Sequence, residues 1–160
     1  MQRLWAPWRD AYVDKLYKKH KGCVFCRIFK AKDDASHLVY VRGKTCYGVL
    51  NLYPYSNGHC MVVPNRHVAD IEKLKASEWA ELIQVLLTTK KIITKAFKPM
   101  GFNIGINIGR PAGAGIPGHV HVHIVPRWNG DHNFMPVISD TRIVSQSLIK
   151  VYRRLKHALA

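Results

Sequence analysis

The chain is short of acidic residues. Against 25 Lys and Arg it carries 10 Asp and Glu in 160 residues, a formal net charge of +15. A surplus of that size attracts polyanions, whether nucleic acid, anionic lipid or polyphosphate nucleotides, unless it is only a solvated basic face. Long hydrophobic runs are also missing: none approaches the ~18 residues of a membrane span. The N-terminal MQRLWAPWRD has no apolar stretch of the kind a secretory signal needs, so the expected location is the cytoplasm and no membrane partner is expected. Cysteine is scarce, with four at 23, 26, 46 and 60, and in a reducing compartment they argue against a disulfide framework. Internal repeats and low-complexity tracts are absent as well.

What is present fits one globular domain over 1–160, with 48% hydrophobic and 22% charged residues. Residues 1–20 form an aromatic and basic arm (Trp5, Trp8, Tyr12, Tyr17), and 30–36 read as an exposed turn. Strands are expected at HLVYVR (37–42), CYGVLN (46–51) and HCMVVP (59–64), the last two joined through Asn57-Gly58. A short helix is expected over 68–75. A long one starts near Ser77, with Trp79, Leu82, Ile83, Leu86, Leu87, Ile93 and Phe97 at helical spacing, and stops at Pro99 and Gly101. GFNIGINIG (101–109) and HVHVHIVPR (119–127) alternate as strands around the Gly/Pro-rich loop 110–118. A last helix is expected over 139–160, beginning near Ser139 or Asp140. The order predicts an α+β fold, an antiparallel sheet with helices packed on one face, plus the N-terminal arm and C-terminal helix.

The sharpest motif is His119-Val120-His121-Val122-His123. Alternation along a strand puts the three imidazoles on one face and the valines on the other. Three such rings suit phosphate chemistry or metal binding. The adjacent glycines allow backbone N–H groups to approach phosphate oxygens. Cys23 and Cys26 form Cys-x-x-Cys, a metal or redox signal, whereas Cys46 and Cys60 sit in strand-like apolar surroundings and read as core.

HVHVHIV resembles the histidine-triad superfamily, and the resemblance extends over GCVFCRI, NLYPYSNGHCMVVPNRHV and GFNIGINIG. RLWAPWRDAY and PRWNGDHNF are similar to a narrower branch, the short bacterial diadenosine tetraphosphate phosphorylases. The resemblance implies nucleotidyl transfer, in which His121 is the nucleophile on the α-phosphorus and His123 and the loop amides stabilise the phosphate oxygens. His59 matches a fourth active-site histidine and Asn51 a ribose-binding position. Asn107, Gly113 and Gly115 are expected at the substrate phosphates. By the same resemblance a structural zinc is held by Cys23, Cys26, His67 and His119, with no organic cofactor.

The implied reaction is cleavage of diadenosine tetraphosphate with inorganic phosphate to ADP and ATP by a homodimer. The stretch Ala112-Gly113-Ala114-Gly115 lacks the glutamine that many hydrolytic relatives carry before the triad. The alternatives are hydrolysis of dinucleoside polyphosphates or nucleoside phosphoramidates on the same fold, and a non-catalytic basic module that binds nucleic acid around a zinc staple. No known nucleic-acid-binding motif is present, so nucleic acid is not the expected partner.

Overall fold

The structure is a computed structural model describing residues 22–31, 33–131 and 144–160. The aromatic arm and the expected helix start at Ser139 or Asp140 lie outside these residues. Five strands form one antiparallel sheet, β1 (Val39–Arg42), β2 (Cys46–Leu50), β3 (Cys60–Pro64), β4 (Gly101–Ile106) and β5 (Val122–Arg127), in the order β1-β2-β3-β5-β4. The described helices are α1 (Val24–Lys30), α2 (Ala76–Phe97) and α3 (Leu148–Leu159), with short 3-10 turns at Ile71–Lys73 and Arg110–Ala112.

Alternation along the strands sorts the apolar residues onto two faces. Tyr40, Leu50, Cys60, Val62, Val122 and Ile124 pack against Leu82, Leu86 and Ile93 of α2 and Val151 and Leu155 of α3. These two helices cover one face, as the helical spacing predicts. Val39, Tyr47, Val49, Met61 and Val63 point the other way and meet Phe25 and Ile28 of α1. That second, smaller cluster was not foreseen, because seven residues are too few to show a helical period. Cys46 and Cys60 are core as expected, and burial pushes both thiols up to about 12.

Several boundaries move for local reasons. The helix expected over 68–75 is a single 3-10 turn, capped by Asp70 and ended by extended backbone at Leu74. The last helix does not run unbroken from Ser139: 144–147 are not helical, and Ser147 caps the start at Leu148 by accepting from Lys150 N. The strand expected over 119–127 enters the ladder only at Val122. In the β3–β5 register, where Val62 meets Val122, Pro64 would stand opposite Val120. Proline has no N–H to give, and the Val120 amide donates to Val68 O instead. This departure frees His119 and His121 from strand pairing while keeping them beside α1.

Candidate active site and metal centre

The histidines lie on the α1 face, away from α2 and α3. Phe25 packs its ring against His119 (centroids 5.4 Å apart) and His121 (4.9 Å), and the row continues from His121 to His123 at 4.7 Å. His59, at the end of the 51–59 loop, is fully buried and stands 5.1 Å from His123. The three residues singled out as catalytic from sequence are therefore together.

Their hydrogen bonds fix where the protons sit. His121 Nδ1 is 2.9 Å from His119 O. A carbonyl can only accept, so Nδ1 carries the hydrogen and Nε2 keeps its lone pair. The Tyr55 backbone N–H donates to His59 Nδ1 at 3.1 Å. His59 must then carry its hydrogen on Nε2, which donates to His123 Nδ1 at 2.9 Å. His123 in turn presents an N–H at Nε2. One ring thus offers a lone pair and its neighbour a proton. Neutrality goes with this arrangement: burial, then the His123 and His121 charges, lower His59 to about 3, and burial, then His121, lower His123 to about 4. Burial also lowers His121, against the opposing pull of the His119 carbonyl.

Cys23, Cys26, His67 and His119 bring one donor atom each to within 4.8 Å of one another. Cys23 Sγ is 3.3 Å and Cys26 Sγ 3.6 Å from His119 Nδ1, Cys26 Sγ is 3.4 Å from His67 Nδ1, and the two Nδ1 atoms are 3.3 Å apart. Tetrahedral bonds of about 2.3 Å to sulfur and 2.0 Å to nitrogen separate neighbouring donors by about 3.3–3.8 Å, so the donor set fits a metal ion. His119 Nε2 donates to Pro64 O at 2.9 Å, which leaves Nδ1 with the lone pair a ligand needs. Burial and the neighbouring Cys23 raise the Cys26 thiol, so a cation is what would hold that sulfur as a thiolate. His67 is exposed but tied on both sides. Arg66 is paired with the Glu78 carboxylate at 2.6 Å, and Val68 O accepts from the Val120 amide.

The remaining expected residues are placed less uniformly. Asn51 accepts from Tyr53 N through Oδ1 and sets Nδ2 3.3 Å from His59 Nδ1, so it lies in the histidine cluster. Asn107 donates to Gly113 O, bracing the 109–115 loop from within. Gly113 is left-handed (φ +89°) and gives its own N–H to Arg110 O, which takes that amide out of a phosphate cradle. Gly115 is exposed, with no heavy atom within 4 Å of where a Cβ would stand. Sequence reasoning missed Phe25 and Tyr55. An aromatic between two ligand cysteines was a signal for the first. Tyr55 bonds His59 through its backbone amide, which no side-chain motif marks, and its ring lies 4.6 Å from the His59 ring.

The HIT-domain family model matches residues 32–130. The AP-4-A phosphorylase of Mycobacterium tuberculosis is 41% identical over 162 residues, 97% of this chain and 82% of that protein. The asymmetrical bis(5'-nucleosyl)-tetraphosphatase of Schizosaccharomyces pombe is 35% identical over 66% of this chain and 57% of that protein. Among solved structures, a Zn-bound histidine triad family protein from Mycobacterium smegmatis superimposes with a TM-score of 0.70 at 27% identity, over 86% of this chain and 93% of that one. In fold, histidine row and sequence alike, this chain belongs to the HIT-domain family.

Proposed function

We propose that the chain is a nucleotidyltransferase that cleaves diadenosine tetraphosphate with inorganic phosphate, giving ADP and ATP. The observation that carries this reading is the pairing of proton states: a bare Nε2 on His121, set by the His119 carbonyl, beside an Nε2–H on His123, set by the Tyr55 amide through the His59 ring. His121 Nε2 attacks the α-phosphorus, the bond to the bridging oxygen breaks, and ATP leaves with that electron pair. His123 donates its hydrogen bond to the oxygens that gain charge. A phosphate oxygen then attacks the same phosphorus, the P–N bond breaks, and ADP departs with His121 restored. The His119 carbonyl holds the Nδ1–H throughout and favours the positive charge that the ring acquires in the adduct. Likeness to a protein named AP-4-A phosphorylase over nearly the whole chain supports this reaction. The absence of a glutamine in Ala112-Gly113-Ala114-Gly115 supports phosphate over water as acceptor.

In this reading Asn51 faces the ribose, and Asn107 and Gly115 border the phosphates. Gly113 shapes that loop without donating. Zinc at Cys23, Cys26, His67 and His119 would supply a structural cross-link, and no organic cofactor is needed. The protein would act as a homodimer in the cytoplasm. Among the described residues no helix is long and apolar enough to cross a membrane. A second reading, hydrolysis, is favoured by the likeness to the tetraphosphatase. Product analysis separates them: turnover of diadenosine tetraphosphate should depend steeply on added phosphate and yield ADP. AMP and ATP formed at full rate in phosphate-free buffer would replace the phosphorylase with a hydrolase.

A further inference from the structure

The surplus of positive charge is not at the histidines. The 51–59 loop has no charged side chain, and 105–123 carries only Arg110 besides its histidines. Eight of the 25 cations lie instead on α2 with its C-terminal cap and on α3, across the sheet. No Asp or Glu occurs in 82–130 or in 144–160. Lys91, Lys95 and Lys98 are exposed at i, i+4 and i+7 along the outer side of α2 and its cap. Lys150, Arg153 and Arg154 are exposed on α3, with His157 one turn further. Arg154 joins the two sets, because it donates to Ala96 O and lies 4.3 Å over the Phe97 ring.

This arrangement is unfavourable for the isolated fold. Like charges four apart on a helix repel, and here the pairs Lys91/Lys95 and Lys150/Arg154 have no acidic neighbour on their own helix to offset them. One or two basic residues at a helix C-terminus answer the macrodipole, but six across two helices exceed that need. Lys98 even occupies the left-handed cap (φ 49°), where glycine is the ordinary choice. A face kept cationic against local preference calls for an anionic partner.

We infer that the α2–α3 face binds the phosphate backbone of double-stranded nucleic acid without reading its sequence. A second copy of the chain would meet it with the same charge. A single strand would need exposed aromatic platforms, whereas Phe97 and Phe102 are covered here by Arg154 and Lys90. An amphipathic helix lying in a bilayer is also disfavoured, because Val151 and Leu155 of α3 are spent in the protein core. Binding of this kind needs no motif, only cations spaced on a rigid surface and the release of counterions.

The test uses the full-length protein with fluorescent 20-base-pair DNA and RNA duplexes over a salt series, and with phosphatidylserine-containing vesicles. Duplex binding should weaken linearly in log–log form as salt rises. The combined variant Lys91→Gln, Lys95→Gln, Lys98→Gln should bind about tenfold or more weakly, with a salt slope shallower by about 2–3. Its circular dichroism and nucleotide turnover should match wild type, since these side chains are exposed and across the sheet from His121. Absence of duplex binding near 100 mM salt, or unchanged binding by the variant, would overturn the inference. So would lysine-dependent binding to vesicles but to neither duplex.

Discussion

The two faces of the sheet treat ionisable groups in opposite ways. On the α1 face, His59, His121 and His123 are neutral, and each has a hydrogen bond with a defined direction. On the α2–α3 face the basic side chains are charged, exposed and without acidic neighbours in sequence. The comparison teaches that net charge and reactive chemistry are separate properties of this chain. The net charge of +15 says almost nothing about the site, where burial has removed charge so that lone pairs and protons can be placed.

The largest effect should come from the histidine side. His121→Ala should lower nucleotide turnover by about four orders of magnitude or more, with the far-ultraviolet circular dichroism unchanged. A variant that keeps near-normal activity would show that the attacking lone pair lies elsewhere. Next, Cys23→Ser should remove bound metal, measured by mass spectrometry of the native protein. It should lower Tm by about 10 °C, or about 3 kcal/mol at this chain length. A metal-free wild type of equal stability would abolish the proposed cross-link.

Acid should expose the neutrality of the site. Unfolded histidines take up protons as the pH falls through about 6.5, whereas the folded chain keeps His123 neutral to about 4 and His59 to about 3. These rings therefore leave stability untouched above pH 6.5 and erode it as the pH falls toward 4. Between pH 7 and pH 5, urea unfolding of wild type should lose about 1–2 kcal/mol more than that of His123→Gln. Equal losses would mean the rings are charged in the folded state. The smallest effect is expected from Arg66→Ala. It removes the ion pair that ties the residue before His67 to Glu78, and should weaken metal affinity by at most about fivefold in a chelator competition.

Alternation and helical spacing made the strands and α2 legible in the sequence, because a buried face imposes its period on many residues at once. The triad was legible for the same reason. Boundaries were not, where a single atom decides them: the missing N–H of Pro64 ends the β3–β5 ladder, and the Ser147 hydroxyl starts α3. The metal donors lie 41 and 96 residues apart in the chain, so no spacing rule joins His67 or His119 to the cysteines. Only resemblance to a family did so. The lock on His59 could not be seen at all, because every residue but proline has the amide that Tyr55 uses.

That amide has a consequence for how the protein can change over generations. Two of the three bonds that orient the reactive protons end on main-chain atoms, Tyr55 N and His119 O, and the third joins the His59 and His123 rings. At position 55 only replacement by proline deletes the amide donor, although the Tyr55 ring also packs 4.6 Å from the His59 ring. No substitution at 119 removes the carbonyl, although one there removes a candidate metal ligand. Inheritance can therefore vary the mouth of the site, and with it the molecules admitted, while the direction of proton flow beneath is passed on unaltered as long as His59 and His123 remain.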